Sequence, residues 1–295
     1  ACSTPGEPSG RFYDMHARRP GYEDWDVMHV TLSQVISAGR VSQEWADQRR
    51  AQWGATSAVY ANRVLGEFAV SEADGLIPLS WVEAANERWQ ELTWAQNVPG
   101  KLTDIGVDVA GTGEASTVLA PLYGGTFVGN LSYFSGIDTM EVAGRVIKAM
   151  GNHEFVTATV DVIGLGAGVA SRLRELTKRV FSFNAAEGTD KRDATNELGF
   201  LNKRAYGWWH LRELLDPAND TKIALPPDDL LIGDLTAPRW SVTSAGKIKM
   251  ESKDDIAKRI GRSTDAGDAV MMVLAGGDPG EWVPIGESPG EDADD

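Results

Sequence analysis

The chain has 295 residues, 42% of them hydrophobic, enough for one large domain or two ordinary ones with a filled core. No apolar run reaches the roughly 18–20 residues of a membrane span, residues 1–10 carry no export signal, and the single cysteine, Cys2, excludes a disulfide framework or thiolate metal cluster. We therefore expect a soluble, non-secreted protein; its formal charge of −15 argues against a polyanionic partner only until the distribution is read, because seven carboxylates and no Lys or Arg lie in residues 276–295, leaving −8 on the first 275.

The opening, residues 10–32, holds short aromatic and apolar strand-like pieces broken by Pro and Gly, and reads as the end of a unit rather than its start. "SQEWADQRRAQWGATSAVYANRVLGEF" follows as two helical pieces around Gly54, with Ser42 as N-cap. "AVSEADGLIPLSWVEAANERWQELTW" reads as a linker with a short helix punctuated by Pro78 and Ser80, and "NVPGK" (97–101) marks a boundary. The period then changes to strands: "LTDIGVDVA", "ASTVLAPLYG" and "TFVGNLSYF" form an antiparallel meander. "DTMEVAGRVIKAMG" is a helix capped by Asp138, "FVTATVDVIGLGAG" a fourth strand, "VASRLRELTK" a second helix, "RVFSFNA" a fifth strand, and "DAVMMVLA" the closing helix. Three antiparallel strands followed by alternating helix and strand predict an α/β fold, a mixed sheet with helices on both faces. Residues 276–295 read as a solvated, disordered acidic tail.

Acids stand where this pattern wants apolar residues. Asp108 lies in the apolar strand "DIGVDVA" and Asp161 in "TATVDVIGLG"; a carboxylate there is costly unless hydrogen-bonded or bound to a cation. With a period of two, Val156, Ala158, Val160 and Val162 share one face, and Thr157, Thr159 and Asp161 the other. "GRSTDAGDAVMM" sets Asp265 and Asp268 at the start of the last helix, where capping explains one acid and not both. Asp108, Asp161 and one of this pair thus predict converging carboxylates, whose repulsion a hard ion such as Mg²⁺ or Mn²⁺ relieves. Two such ions about 4 Å apart activate water and stabilise a leaving oxygen in phosphodiester cleavage. Lys247, Lys249, Lys253, Lys258, Arg259 and Arg262 crowd just before the aspartate pair, a basic patch beside an acidic point.

Other features point elsewhere or nowhere. "GLGAGV" (164–169) follows a strand and opens a helix, as a dinucleotide fingerprint does, but Val169 replaces the third glycine, and a tight strand-to-helix turn is the preferred reading. His16, His29, His153 and His210 lack metal-like spacing. Adjacent Trp208 and Trp209 read as core packing rather than base stacking. Glu114 reads as a solvated turn residue before a second-sphere one.

Together "GVDVAGTGEAS", "VDVIGLGAGVASRLREL", "FNAAEG", "LNKRAYGWWHLRELL", "KIKMESKDDIAKRIGRSTDAGDAVMM" and the upstream "VLGEF" and "GLIPLSWVEAA" resemble the large terminase subunit of tailed bacteriophages. That resemblance implies a ribonuclease H-like nuclease domain at 101–275, a linker at 71–100 and the C-terminal part of an ATPase domain at 1–70, before the tail at 276–295. It matches Asp108, Asp161 and Asp268 to the metal-binding acids of the nuclease, leaving Asp265 to cap the helix or support a second ion. Departures are Ser171 where the family often has aspartate, Thr264 where it has proline, and Tyr206 or Gly207 where an acid is common. No G-x-x-x-x-G-K-[ST] occurs, so ATP hydrolysis is expected only of a full-length protein.

The implied activity is Mg²⁺- or Mn²⁺-dependent, two-ion endonucleolytic cleavage of concatemeric double-stranded DNA during packaging, with Lys247, Lys253, Lys258 and Arg259 on backbone phosphates. The implied partners are DNA, the small terminase subunit and the portal protein, in the host cytoplasm and away from membranes. Alternatives are a non-catalytic assembly protein that binds portal or small subunit, a dinucleotide-binding enzyme using the 164–168 turn, and a resolvase or transposase on a similar fold.

Overall fold

A computed structural model describes residues 3–275 apart from 7, 9, 56, 69–74, 111–115, 152–154 and 177–178. Cys2, Glu114, His153, part of the expected linker and the acidic tail lie outside the described residues. The helices before the first strand are α1 (Gly10–His16), which stands where the sequence suggested a strand-like piece, α2 (Leu32–Ser37), α3 (Gln43–Trp53), α4 (Ala58–Tyr60), which continues as a π-helical turn over Ala61–Leu65, and α5 (Leu79–Trp94). Ser42 caps α3 by accepting the Trp45 N–H at 3.0 Å, and Gly54, with φ 80°, ends it.

The strands β1 (Leu102–Asp108), β2 (Thr117–Tyr123), β3 (Phe127–Val128) and β4 (Ser132–Phe134) lead to α6 (Thr139–Met150), capped by Asp138. Then come β5 (Thr157–Asp161), α7 (Gly166–Leu176) and β6 (Val180–Phe183). In the main sheet the order is β3-β2-β1-β5-β6, with β4 also on β2; β1 runs antiparallel to β2 and parallel to β5, and β5 parallel to β6. The single third strand expected from sequence is two pieces, because Pro121 in β2 has no N–H to offer a partner and its carbonyl instead accepts the Gly129 N–H at 2.8 Å.

The chain continues through β7 (Gly199–Phe200), α8 (Lys203–Leu215), α9 (Asp229–Thr236), β8 (Trp240–Val242), β9 (Lys247–Met250), α10 (Lys253–Ile260) and α11 (Asp265–Ala275). A second sheet, β7-β9-β8, escaped the sequence reading, since its strands are two to four residues long.

Alternate residues of the main sheet feed two cores, as the period of two requires. Ile105, Val107, Ala158 and Val160 pack with Val142 and Val146 of α6 and Leu173 of α7. Val118, Ala120 and Leu122 join the other core with Trp208 and Leu211 of α8, Leu231 of α9 and Ala269 and Val270 of α11, which also takes in Ala46, Trp53, Val59 and Tyr60 from the N-terminal helices. Gly106 sets the spacing on this second side: a Cβ there would run into the Ala269 carbonyl oxygen, so only glycine lets α11 lie so close to β1. That approach puts the first turn of α11 near the end of β1.

Candidate metal centre

Three aspartates reach this place from three elements. In the parallel pairing Gly106 faces Thr159 and Val107 faces Val160, so Asp108 and Asp161 follow at the neighbouring C-terminal ends of β1 and β5. Asp268 lies in the first turn of α11. All three are buried, at 6%, 9% and 2% exposure, which demands partners for their charge. Asp161 Oδ1 accepts the Ile163 N–H at 3.0 Å. The glycines of "GLGAGV" serve this strand end: Gly164 takes φ +67°, and a Cβ on Gly166 would collide with the Asp161 carbonyl oxygen. The structure thus explains two of the three glycines by the backbone alone.

Lys253, the first residue of α10, is the cation among these acids. Its Nζ stands 3.3 Å from Asp108 Oδ2 and 3.2 Å from Asp268 Oδ2. Asp268 is the most fully engaged: Trp208 Nε1 donates to Oδ1 at 2.9 Å, the Thr264 hydroxyl donates to Oδ2 at 2.9 Å, and Arg204 Nε is 3.6 Å from Oδ1. Arg204 is itself buried at 8% exposure; its Nη1 donates to the Glu251 carbonyl at 2.7 Å, while Nε and Nη2 have no hydrogen-bond partner among the described residues. Burial opposes ionisation of Asp268, yet Lys253, Arg204 and the two neutral donors outweigh it and hold its carboxyl below the usual carboxylate range. Burial wins at the other two: Asp108 is pushed up to about 7, with Lys253 opposing and the neighbouring acids adding, and Asp161 is also raised. Against the cost of burial, the three aspartates hold the Lys253 ammonium firmly protonated.

Asp265 stands beside the cluster, near enough for its charge to add to the rise at Asp108, and its Oδ2 accepts the Ser116 N–H at 3.3 Å. It borders a cavity of about 320 Å³ shared with Tyr133, Asp234 and Arg262. Capping of α11, which the sequence offered to Asp265, is carried out by Asp234 of α9, whose Oδ2 accepts the N–H groups of Ala266 at 2.9 Å and Gly267 at 3.1 Å. Sequence reasoning passed over Asp234, although an acid three residues after Leu231 and next to Leu235, in the apolar phase of "DLLIGDLT", signals it. It also assigned no role to Trp208; the ring is core, but its N–H serves Asp268.

The basic residues predicted to face DNA divide. Lys247 on β9 and Lys258 on α10 are exposed, the latter 3.5 Å from Asp255. Arg259 is clasped by Glu251 at 2.6 and 3.1 Å and by the Ala237 carbonyl at 2.6 Å, and Lys253 is turned inward among the acids. Ser171 is exposed on α7; a side chain at Gly207 would meet Met271, so an acid has no room there.

The donor set is all carboxylate oxygen, the chemistry a hard divalent ion prefers. Among the described residues no three acids, histidines or cysteines stand grouped at metal-ligating geometry; the position Asp108 and Asp268 share is filled by the ammonium, a stand-in of single charge.

No family profile and no curated protein matches this chain. Among solved structures it resembles the nuclease domain of the large terminase subunit gp2 of bacterial virus Sf6, at TM-score 0.53 and 20% identity, over 68% of this chain and 97% of that one. A point variant of the same domain with calcium gives TM-score 0.54 and 20% identity over 68% and 98%, and one with manganese and beta-thujaplicinol gives 0.54 and 20% over 68% and 97%. The fold is that of a large terminase nuclease domain. At this identity the likeness to the terminase nuclease is one of fold, the ribonuclease H-like α/β architecture expected from sequence. The calcium and manganese belong to the Sf6 protein.

Proposed function

We propose that this chain is a terminase large-subunit endonuclease that cuts concatemeric double-stranded DNA during phage genome packaging, using Mg²⁺ or Mn²⁺. One observation carries the reading: aspartates from β1 and α11 share a single cation, with Asp161 of β5 close enough to be felt by it. Asp108, Asp161 and Asp268 would hold the divalent ions, with Asp265 supporting the second. When bound, such ions activate water and stabilise the leaving 3′ oxygen.

The chain's own part is orientation and charge. Trp208 and Thr264 fix the two oxygens of Asp268, and Arg204 offsets charge from behind without facing solvent. Lys253 is on a long flexible stem, so its ammonium can leave the carboxylates to divalent ions and turn to the scissile phosphate. Lys247 and Lys258 would bind backbone phosphates, which positions DNA without reading sequence. In this reading residues 1–70 close the ATPase domain of a longer protein, 71–100 link it to the nuclease, and the small terminase subunit and portal are the partners, in the host cytoplasm. Among the described residues no helix is long and apolar enough to cross a membrane.

A second reading is favoured by the same lysine. Because Lys253 already neutralises Asp108 and Asp268 in part, the cluster stands without metal, as a non-catalytic packaging protein would require. Cleavage of supercoiled plasmid in Mg²⁺ or Mn²⁺ decides between them. The nuclease nicks and linearises plasmid as the parent and falls to background as Asp108→Ala and Asp268→Asn. Equal nicking by all three would assign the activity to a contaminant, and no nicking by the parent would leave the second reading.

A further inference from the structure

We propose that Asp234 and Arg262 are positioning residues for the acid cluster, and that they make the placement of Asp268 depend on the docking of α3. The inference rests on the nuclease reading, but its structural links do not. Asp234 is 1% exposed, and its two oxygens have separate tasks. Oδ2 receives the Ala266 and Gly267 N–H groups, first-turn donors of α11 that have no partner within the helix. Oδ1 receives Arg262 Nη1.

Arg262 carries the connection onward, since all three of its nitrogens donate. Besides Asp234, Nη1 donates to the Ser263 carbonyl at 2.9 Å, Nη2 to the Leu230 carbonyl at 3.4 Å, and Nε to the Gln52 carbonyl at 2.6 Å. Gln52 lies in the last turn of α3, so this carbonyl is one the helix leaves open. The end of α3 is fixed to α9 by two further contacts: Trp53 Nε1 donates to the Asp229 carbonyl at 2.6 Å, and Arg49 pairs with Asp229 at 2.7 Å.

There is little slack along this path. A Cβ on Gly233 would lie 2.7 Å from Arg262 Nη2 and 2.9 Å from Trp53 Cδ1; one on Gly267 would lie 2.8 Å from Trp208 Cη2 and 3.0 Å from Asp234 Cβ. Trp208 is the same ring that donates to Asp268, which follows Gly267 directly in the chain. A first turn of α11 released by Asp234 therefore shifts the Asp268 backbone against its fixed indole and lysine partners.

The test uses the full chain as parent, Arg262→Gln, Arg262→Lys, Asp234→Asn and Trp53→Phe. Mn²⁺ affinity is titrated by electron paramagnetic resonance, amide exchange at Ala266, Gly267 and Asp268 is followed in metal-free protein, and Tm is recorded for each. Loss of the support should weaken Mn²⁺ binding by about 10–100-fold, the usual cost of removing an outer partner of a metal ligand. We expect Arg262→Gln to show that loss together with exchange at least about tenfold faster at Ala266 and Gly267, Arg262→Lys to recover part of both, and Trp53→Phe to move both in the same direction by less. A merely structural role lowers Tm and leaves Mn²⁺ affinity of the folded protein at the parent's value; that result, or unchanged exchange, overturns the proposal. If Asp234→Asn fails to fold, the two Arg262 variants decide. A parent that binds no Mn²⁺ sinks the nuclease reading instead, and the exchange arm still judges the positioning.

Discussion

The two sides of the main sheet are built from the same strands and behave differently. Towards α6 and α7 the residues Ile105, Val107, Leu119, Ala158 and Val160 join an apolar core with Val142, Val146 and Leu173. Towards α8 and α11 the alternate positions begin with Gly106, Val118 and Ala120 and end in Thr159, Asp108 and Asp161, all buried. One side stores burial energy; the other spends part of it to keep charge out of water at one end. That contrast marks the candidate site more sharply than the burial of any single acid, because an acid is expensive only where its neighbours are dry.

The contrast can be broken from either side. On the acid side, Asp268→Asn should abolish cleavage while the protein still folds, whereas Leu173→Ala on the apolar side should cost about 2–5 kcal/mol of stability and leave the rate per folded molecule unchanged. Chemical denaturation and plasmid cleavage on the same samples check both. If Leu173→Ala lowered the rate of the folded protein as Asp268→Asn does, the two sides would not be separate in function.

Trp208→Phe tests the border between packing and chemistry. It keeps an aromatic ring in the core but removes a donor from a buried carboxylate, and should cost about 1.5–3 kcal/mol with a loss of metal affinity. A smaller effect is expected from pH. Asp108, at about 7, and Asp161 bind protons more readily folded than unfolded, so the stability they lend is complete below the ordinary carboxylate range and is lost as pH rises to about 7. Asp268, held low, acts in the opposite sense but only in stronger acid. The metal-free Tm should therefore fall between pH 5 and pH 8, and Mn²⁺, which takes the ionised acids, should restore it most at pH 8. Thermal scans with and without Mn²⁺ measure this, and a metal-free Tm that rose over the same range would contradict the burial argument.

Much of the sheet was legible because its signals are local. Alternation placed Val156, Ala158 and Val160 on one face and Thr159 and Asp161 on the other, and the glycine turn after Asp161 marked where β5 ends and α7 begins. The helix at Asp265 announced itself by its apolar run. What stayed hidden depends on contacts between distant segments. Lys253 read as one of a basic row, and nothing in its neighbours shows that two carboxylates from other elements meet its ammonium. Arg259 has its partner eight residues away in Glu251, a spacing no helix period signals. Asp234 left a trace in its helical phase, but its role appears only when α9 meets the start of α11. The short strands β7, β8 and β9 are too brief for period to show, and the break between β3 and β4 follows from a proline on the strand opposite.

In the proposed function, divalent cations bind at one place in this fold, between Asp108, Asp161 and Asp268. Anomalous scattering from crystals of the protein grown with Mn²⁺ tests it most directly. Manganese peaks bounded by those three side chains are expected, with the Lys253 ammonium moved off the carboxylates. An undisturbed Lys253 contact to Asp108 and Asp268 in Mn²⁺-saturated crystals, with no peak at the cluster, would contradict it.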